Sequence, residues 1–195
     1  MVGVRQFDEE AMLEQALALF WRQGVAATSM LDLAVATGVQ RGSLYHAYGD
    51  KEAVFLHAFD RYTARFLDGA RASLQGEQAD PMLRRFLKRI IDNMTAGSPP
   101  RGCLTTKTAG DGSLASEQIR ERVRHLLDQL ASLVEAALSR PDIRSQLALE
   151  PAQAAMVVVT FTRGLAVMER VHGDRRKLMR AADGLIRALV RTTGG

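Results

Sequence analysis

Residues 28–51 have the sequence TSMLDLAVATGVQRGSLYHAYGDK, and this stretch determines the predicted fold. Two short helical segments flank Gly38, and a glycine can adopt the positive φ of a tight turn at little cost. Leu33 and Leu44 supply an apolar core between the two helices, and Ala34 is small enough to let them approach closely. The pattern therefore predicts a helix-turn-helix, the motif that places its second helix in the major groove of DNA.

Both helices of this motif carry recognisable local signals. Ser29 can cap the first helix, and Asp32, three residues later, completes a capping-box pattern. The second helix is predicted over residues 41–47, and its polar side chains are expected to point outward, with Tyr45 reaching the same surface. The candidate DNA contacts on this side are Gln40, Arg41, Ser43, Tyr45 and His46. We expect the first three to contact base edges, since Gln suits adenine and Arg suits guanine in bidentate geometry.

Helical periodicity continues over almost the whole chain, without a convincing alternating strand. A long helix capped by Asp50 is expected to run to about residue 75, and residues 97–102 form the clearest loop. The other helices are predicted near residues 8–23, 82–94, 119–138, 151–171 and 174–192. With about nine helices and no sheet, the predicted fold class is all-α.

Composition narrows the classes of function. The chain has 195 residues, a net charge of +4 and one cysteine, Cys103, which excludes an intrachain disulfide and a thiolate metal cluster. The four histidines form no metal-binding pair at helical spacing, and neither a Gly-rich phosphate loop nor a nucleophile elbow is present. The sequence therefore predicts a protein without a catalytic site, a bound metal or a cofactor.

Charge and hydropathy alone give little support to DNA binding. Residues 1–51 hold four basic and six acidic side chains, a net charge of −2, so the basic excess lies further along the chain. The first residues, MVGVRQFDEE, lack an apolar signal region, and the longest apolar stretch, 154–168, is shorter than the ~20 residues that cross a bilayer. A cytoplasmic protein that does not associate with a membrane is expected.

Residues that match one family pattern follow one another in order along the first four helices: Phe20, Gly24, Thr28, Ser29, Met30, Leu33, Ala34, Gly38, Val39, Gly42, Ser43, Leu44, Tyr45, His46, Tyr48 and Lys51. Over about residues 7–60 the chain resembles the N-terminal domain of the TetR family of transcriptional regulators. The resemblance implies a three-helix DNA-binding domain over residues 1–51, an effector-binding and dimerisation domain over 52–195, and a linking helix over about 50–75. It also implies a dimeric repressor that binds a palindromic operator and is released by a small effector.

The resemblance extends to individual DNA-contacting side chains. Thr28 and Ser29, beside a helix N-terminus, can present hydroxyl and N–H groups to phosphate. Tyr45 and His46 resemble the family's pair that contacts the DNA backbone, and Lys51 resembles its phosphate-anchoring lysine. Gln40 departs from the family, since it replaces the usual Ser-like cap. This departure is expected to weaken the N-terminus of the second helix by about 1 kcal/mol.

The C-terminal helices are expected to provide dimerisation and sensing. The last two helices, about residues 151–192, would pair with their symmetry mates in a four-helix bundle, which would cover a helix that is apolar nearly all round. Plain packing within one chain is the alternative. A cavity for an apolar or aromatic effector is expected among Phe86, Ile90, Met94, Met156 and Phe161.

Cys103 has two open interpretations. The segment 101–107 resembles the Gly-Cys-Leu opening of the sixth helix in one group of the family, with Lys107 and Asp111 where Asn and Glu are usual. A thiol at a helix start beside Arg101 and near Lys107 can react with electrophiles, which would add Cys103 to the effector site. A lone cysteine can equally be a small buried hydrophobe.

Two rival functions remain open at this stage. One is an enzyme, which the absent motifs argue against. The other is a helical protein that keeps the fold but has lost operator binding. The acidic N-terminal segment favours this second rival, whereas the intact Thr28, Tyr45 and Lys51 argue against it.

Overall fold

A computed structural model describes residues 7–191, and this part of the chain is all-helical, as predicted. Its ten α-helices are α1 Glu9–Gln23, α2 Met30–Thr37, α3 Arg41–Tyr48, α4 Lys51–Ser73, α5 Ala79–Thr95, α6 Leu104–Gly110, α7 Glu117–Leu138, α8 Pro141–Arg144, α9 Pro151–His172 and α10 Arg175–Leu189. A 3₁₀ turn, Ser113–Ala115, precedes α7. The sequence predicted about nine helices, because α8 is one turn long and gives no periodic pattern. The predicted last helix ended at residue 192, which lies outside the described residues.

Local signals fix the helix ends, and the caps that the sequence predicted at Ser29 and Asp50 are present. The Asp8 carboxylate caps α1 by accepting hydrogen bonds from the N–H groups of Glu10 (2.9 Å) and Ala11 (3.2 Å). Ser29 and Asp32 form the predicted capping box of α2, and Asp50 accepts from the N–H of Ala53 at the start of α4. Gly38 ends α2 with a φ of 65°, a left-handed conformation that favours glycine.

The described residues form two compact units. The first contains the residues up to Arg65 together with Leu104–Arg124, and the second contains Phe66–Cys103 together with the residues from His125 onward. Both α4 and α7 run from one unit into the other. These are units of packing, and their boundaries differ from the functional boundary at residue 51 that the resemblance implied.

Each unit has its own apolar core. In the first, Phe20 meets Phe55 edge-on at 5.2 Å between ring centroids, and Trp21 meets Tyr62 edge-on at 5.1 Å. In the second, α5 packs against both α9 and α10. The buried side chains of this packing include Phe86, Leu87, Ile91, Val158, Leu178, Ala182 and Ile186. These ring contacts hold α1 against α4, and α2 packs against both α1 and α3, which sets the position of the candidate site.

Candidate nucleic-acid interface

The exposed face of α3 carries the residues predicted to contact DNA. Gln40, Arg41, Tyr45 and His46 are exposed and Ser43 is half-buried, whereas Leu44 on the opposite face is fully buried. The Arg41 guanidinium lies 5.3 Å from the centroid of the Tyr45 ring, and its Nη2 donates to the Tyr45 hydroxyl at 3.4 Å. This pairing holds two of the predicted contacts side by side on one surface.

The N-terminus of α3 has no side-chain cap. Gln40 occupies the N-cap position and makes no capping hydrogen bond, as its residue type indicated. The first N–H groups of a helix lack intrahelical partners, so this end of α3 can donate to an external acceptor. A phosphate oxygen is one such acceptor.

Ser29 at the start of α2 is already paired with Asp32. Its N–H and hydroxyl donate to Oδ2 of Asp32 at 2.8 and 2.7 Å, and the Asp32 N–H donates back to the hydroxyl at 3.1 Å. The hydrogen bonds from the Ser29 hydroxyl and N–H hold the pKa of Asp32 below its usual value. Both residues lie at the surface, so Ser29 can contact a phosphate by exchanging this partner.

Thr28 and Lys51 differ from the sequence-based expectation. Thr28 is 1% exposed, and its hydroxyl donates to the carbonyl oxygen of Gly24 at 2.6 Å instead of facing solvent. Lys51 Nζ donates to the carbonyl oxygens of Val25 (3.0 Å), Ala26 (3.0 Å) and Thr28 (2.8 Å). Since an ammonium group has three donors, all of them serve this loop, and neither side chain offers a phosphate contact in this structure.

The last turn of α1 and the loop that joins α1 to α2, residues 24–29, are contacted by Lys107 of α6 and by Asp111, the residue after α6. Lys107 Nζ donates to the carbonyl oxygens of Trp21 and Arg22, the last turn of α1, at 2.7 and 2.6 Å. Asp111 Oδ2 accepts from the N–H of Val25 at 2.9 Å. Sequence reasoning noted both residues as departures from a family pattern and Lys107 also as a neighbour of the Cys103 thiol, and it predicted no contact of either with α1 or the loop after it. Their contacts join residues 85 and more positions apart, which local patterns do not reveal.

The six residues predicted to line an effector cavity differ in how deeply they are buried. Phe86, Ile90 and Met94 are buried on α5, and Phe161 and Cys103 are half-buried. Met156 is 71% exposed, so its assignment to an internal cavity is wrong for the single chain. At 100° per residue, Met156 lies on the face of α9 opposite the buried Ala154, Val158 and Thr162, which point toward the rest of the unit.

Cys103 lies in the second unit, beside an arginine from α9. Arg163 Nη1 is 3.4 Å from Cys103 Sγ. A guanidinium next to a sulfur favours the thiolate, the form that reacts with electrophiles. The sequence gave no hint of this neighbour, because Arg163 is 60 residues away.

Glu169 is a buried carboxyl group on α9 that sequence reasoning did not identify. Its side chain is 6% exposed, and an added Cβ at Gly102 would lie 3.7 Å from its Oε2. Burial raises the pKa of Glu169 above its usual value, against a smaller opposing effect of the positive charge of Arg170.

A cleft of about 580 Å³ lies elsewhere in the second unit. Its lining residues are Pro141, Arg144, Ser145, Leu147, Ala148, Leu149, Glu150, Gln153 and Arg191. None of the six residues predicted for the effector pocket lines it. Arg144 pairs with Glu150 across it at 2.9 Å, so the cleft has a polar rim, unlike the apolar cavity that was expected.

One face of α9, here called the α9 stripe, consists of exposed and mostly apolar residues. It comprises Met156, Val157, Thr160, Gly164, Val167, Met168 and Val171. Over residues 7–191, α9 is the one helix long and apolar enough to cross a membrane, with a mean hydropathy of 1.3 over its best window. Its other face is buried against α5 and α10, the packing expected of a core helix in a globular protein.

Comparison with known proteins gives concordant results for both halves of the chain. Residues 12–58 match the model for bacterial regulatory proteins of the tetR family, and residues 79–185 match the model for the tetracyclin repressor-like C-terminal domain. The HTH-type transcriptional repressor ComR of Escherichia coli (strain K12) is 27% identical over 190 residues, which span 93% of this chain and 88% of ComR.

Solved structures support the same assignment. A cysteine mutant of the TetR family transcriptional regulator CifR, complexed with 26-bp double-strand operator DNA, superposes with a TM-score of 0.85 at 26% identity, covering 95% of this chain and 98% of that one. The reduced form of E. coli NemR has the same fold, with a TM-score of 0.84 at 20% identity over 96% of this chain and 98% of NemR.

Proposed function

The chain belongs to the TetR family of DNA-binding transcriptional regulators, and on that premise we propose that it is a homodimeric repressor, released from a palindromic operator by a small effector. The observation that carries the proposal is the exposed polar face of α3, where Arg41 and Tyr45 are paired above a buried Leu44. A short helix with a polar outer face and a fixed inner face is what major-groove recognition requires.

In this proposal DNA binding belongs to residues 1–51. Gln40, Arg41 and Ser43 contact base edges, while Ser29, Tyr45 and His46 contact the backbone. Thr28 and Lys51 act by shaping the loop before α2. CifR, the relative at 26% identity, is complexed with operator DNA, which supports this use of the domain.

Residues 52–195 serve dimerisation and sensing, with α4 linking them to the DNA-binding part. The α9 stripe supports dimerisation, because exposed apolar side chains at spacings of three and four residues form a surface suited to a second helix. Thr160 and Gly164 at the middle of the stripe are small enough for close approach, and nothing lies within 4 Å of an added Cβ at Gly164. A second copy of the chain is the proposed occupant, through α9 and α10.

A relative supports the sign of regulation, and side chains of the second unit support the class of effector. ComR is named a repressor, and this chain matches it over most of its length. The buried Phe86, Ile90 and Met94 favour an apolar or aromatic effector, and Arg163 beside Cys103 favours an electrophilic one. We also place the chain in the Gly-Cys-Leu group of the family, on the basis of residues 101–107. A cytoplasmic location follows from regulation of chromosomal DNA.

The first experiment identifies the operator. Purified wild-type protein selects duplexes from a random-sequence library, and fluorescence anisotropy then compares wild type with Arg41→Ala. A palindromic consensus is expected, and the variant should lose discrimination at one guanine by about 1–3 kcal/mol. Arg124→Ala, which removes an exposed arginine of α7, is the matched control and should bind as wild type does.

A failed selection would favour the rival function. If the wild-type protein binds all duplexes equally at several salt concentrations, the chain keeps the fold without reading an operator. The net charge of −2 over residues 1–51 makes this outcome a real alternative.

A further inference from the structure

The α1–α2 loop, residues 24–29, is held by charged side chains from two directions within the first unit. Lys51 at the start of α4 binds three of its carbonyl oxygens. Asp111 accepts from two of its N–H groups, those of Val25 (2.9 Å) and Ala26 (3.5 Å). Lys107 binds the two carbonyl oxygens that end α1 just before the loop. Carbonyls and amides of one short loop are therefore satisfied by separate, oppositely charged groups.

Gly24 provides independent evidence that this fit is specific. Its φ is +86°, and a Cβ added there would lie 2.7 Å from Oδ2 of Asp111, too close for any real side chain. A side chain at residue 24 would therefore displace the Asp111 carboxylate from its place beside the loop. Close approach of a charged group to the backbone requires this residue at the turn.

Lys107 and Asp111 both stabilise this region and fix its position. The backbone groups that they bind belong to two exposed residues, Arg22 and Ala26, and to two buried ones, Trp21 and Val25. Removing either side chain should therefore also lower the free energy of unfolding, since hydrogen bonds to charged groups are lost. Water could satisfy the exposed groups but could not fix the position of the loop, and position is what the two charged side chains add.

We propose that Lys107 and Asp111 are positioning residues for DNA binding. By fixing the α1–α2 loop they set the place of Ser29 and of the N-terminus of α2. A shift of this loop would also move α3, because α2 packs against α3 and the facing Leu33 and Leu44 are both fully buried. The inference rests on the DNA-binding function of the family and names two residues outside the helix-turn-helix that control it.

The test compares the full-length wild type with Lys107→Met and Asp111→Ala. Lys88→Met and Asp128→Ala replace exposed residues of the second unit, outside α9 and α10, and are the matched controls. Lys107→Arg and Asp111→Asn retain hydrogen-bonding groups and test rescue. The probe is the duplex that the wild-type protein recovers from a random-sequence library, titrated by anisotropy across a salt series.

We expect Lys107→Met and Asp111→Ala to weaken binding by about tenfold, the effect of losing one charge-assisted hydrogen bond to phosphate. The slope of log affinity against log salt should stay close to that of the wild type, because the displaced donors, the Ser29 hydroxyl and the first N–H groups of α2, carry no formal charge. The conservative variants should recover part of the lost affinity. Affinities refer to the folded fraction, measured by urea denaturation, so a variant that partly unfolds still gives a result.

Trp21, the single tryptophan of the chain, provides a second readout without DNA. Its carbonyl oxygen accepts from Lys107 at 2.7 Å, and its ring is 8% exposed. In Lys107→Met the emission of the folded protein should change, while Lys88→Met should leave it unaltered.

Two results would overturn the inference, and they separate it from the proposed function. If the wild type selects an operator and the folded variants bind it with unchanged affinity, Lys107 and Asp111 are structural only and the function stands. If the wild type selects no sequence, operator binding fails and the positioning role fails with it.

Discussion

Replacing Val167 with glutamate on the α9 stripe should separate the proposed dimer into monomers. Met156, Val157, Val167, Met168 and Val171 are 71, 39, 52, 48 and 69% exposed, which together approach three complete apolar side chains per protomer. Burying one such side chain contributes about 1.5–3 kcal/mol, so two protomers gain about 8–16 kcal/mol from the stripe. Association itself costs about 4–15 kcal/mol, so the margin is narrow.

Because this margin is narrow, one buried charge per protomer is sufficient to separate the dimer. Val167→Glu forfeits about 1 kcal/mol of apolar burial and adds at least about 1 kcal/mol for the desolvated carboxylate. A two-fold axis applies both changes twice, which gives about 4 kcal/mol and weakens the dimer about 1,000-fold.

Sedimentation velocity over a concentration series measures this directly. Wild type should sediment as a dimer and Val167→Glu as a monomer. Val35→Glu places the same substitution at an exposed valine of α2, 78% accessible, and should remain dimeric. A dimer in Val167→Glu with wild-type affinity, or a wild type that is monomeric at micromolar concentration, would refute the assignment of the α9 stripe to a second copy.

Three further substitutions test the electrostatics and the caps. Glu169→Gln should raise the unfolding temperature at pH 8, and this effect should diminish toward pH 4. The reason is that the raised pKa of Glu169 in the folded state contributes stability that is lost as the pH rises through that pKa. A larger effect at pH 4 would contradict the burial of this carboxyl group. Ser29→Ala should lower the free energy of unfolding by about 1 kcal/mol in urea denaturation, whereas Ser132→Ala on the exposed face of α7 should not lower it. Lys51→Met should destabilise by about 2 kcal/mol, since it removes charge-assisted hydrogen bonds to three carbonyls, and a loss no greater than that of Lys177→Met would contradict this role.

The sequence by itself determined the all-helical fold class and most helix boundaries. Asp8, Ser29, Gly24 and Gly38 act over at most four residues, so a cap or a left-handed turn is encoded where it occurs. The helix-turn-helix is likewise local, since one glycine and two buried leucines fix its two short helices. The polar face of α3 also follows from helical periodicity, because the side chains opposite the buried Leu44 must point outward.

Only the tertiary structure decided which partners these elements meet. Periodicity shows that a helix has an apolar face, but α9 is apolar on two faces. Packing against α5 and α10 buries one face and leaves Met156 exposed on the other. Lys51 and Thr28 were expected to contact phosphate but contact the α1–α2 loop instead. The contact of Lys51 depends on how α4 approaches this loop. Lys107 reaches α1 across 86 residues, and such contacts arise from the packing of distant segments, which no local pattern encodes.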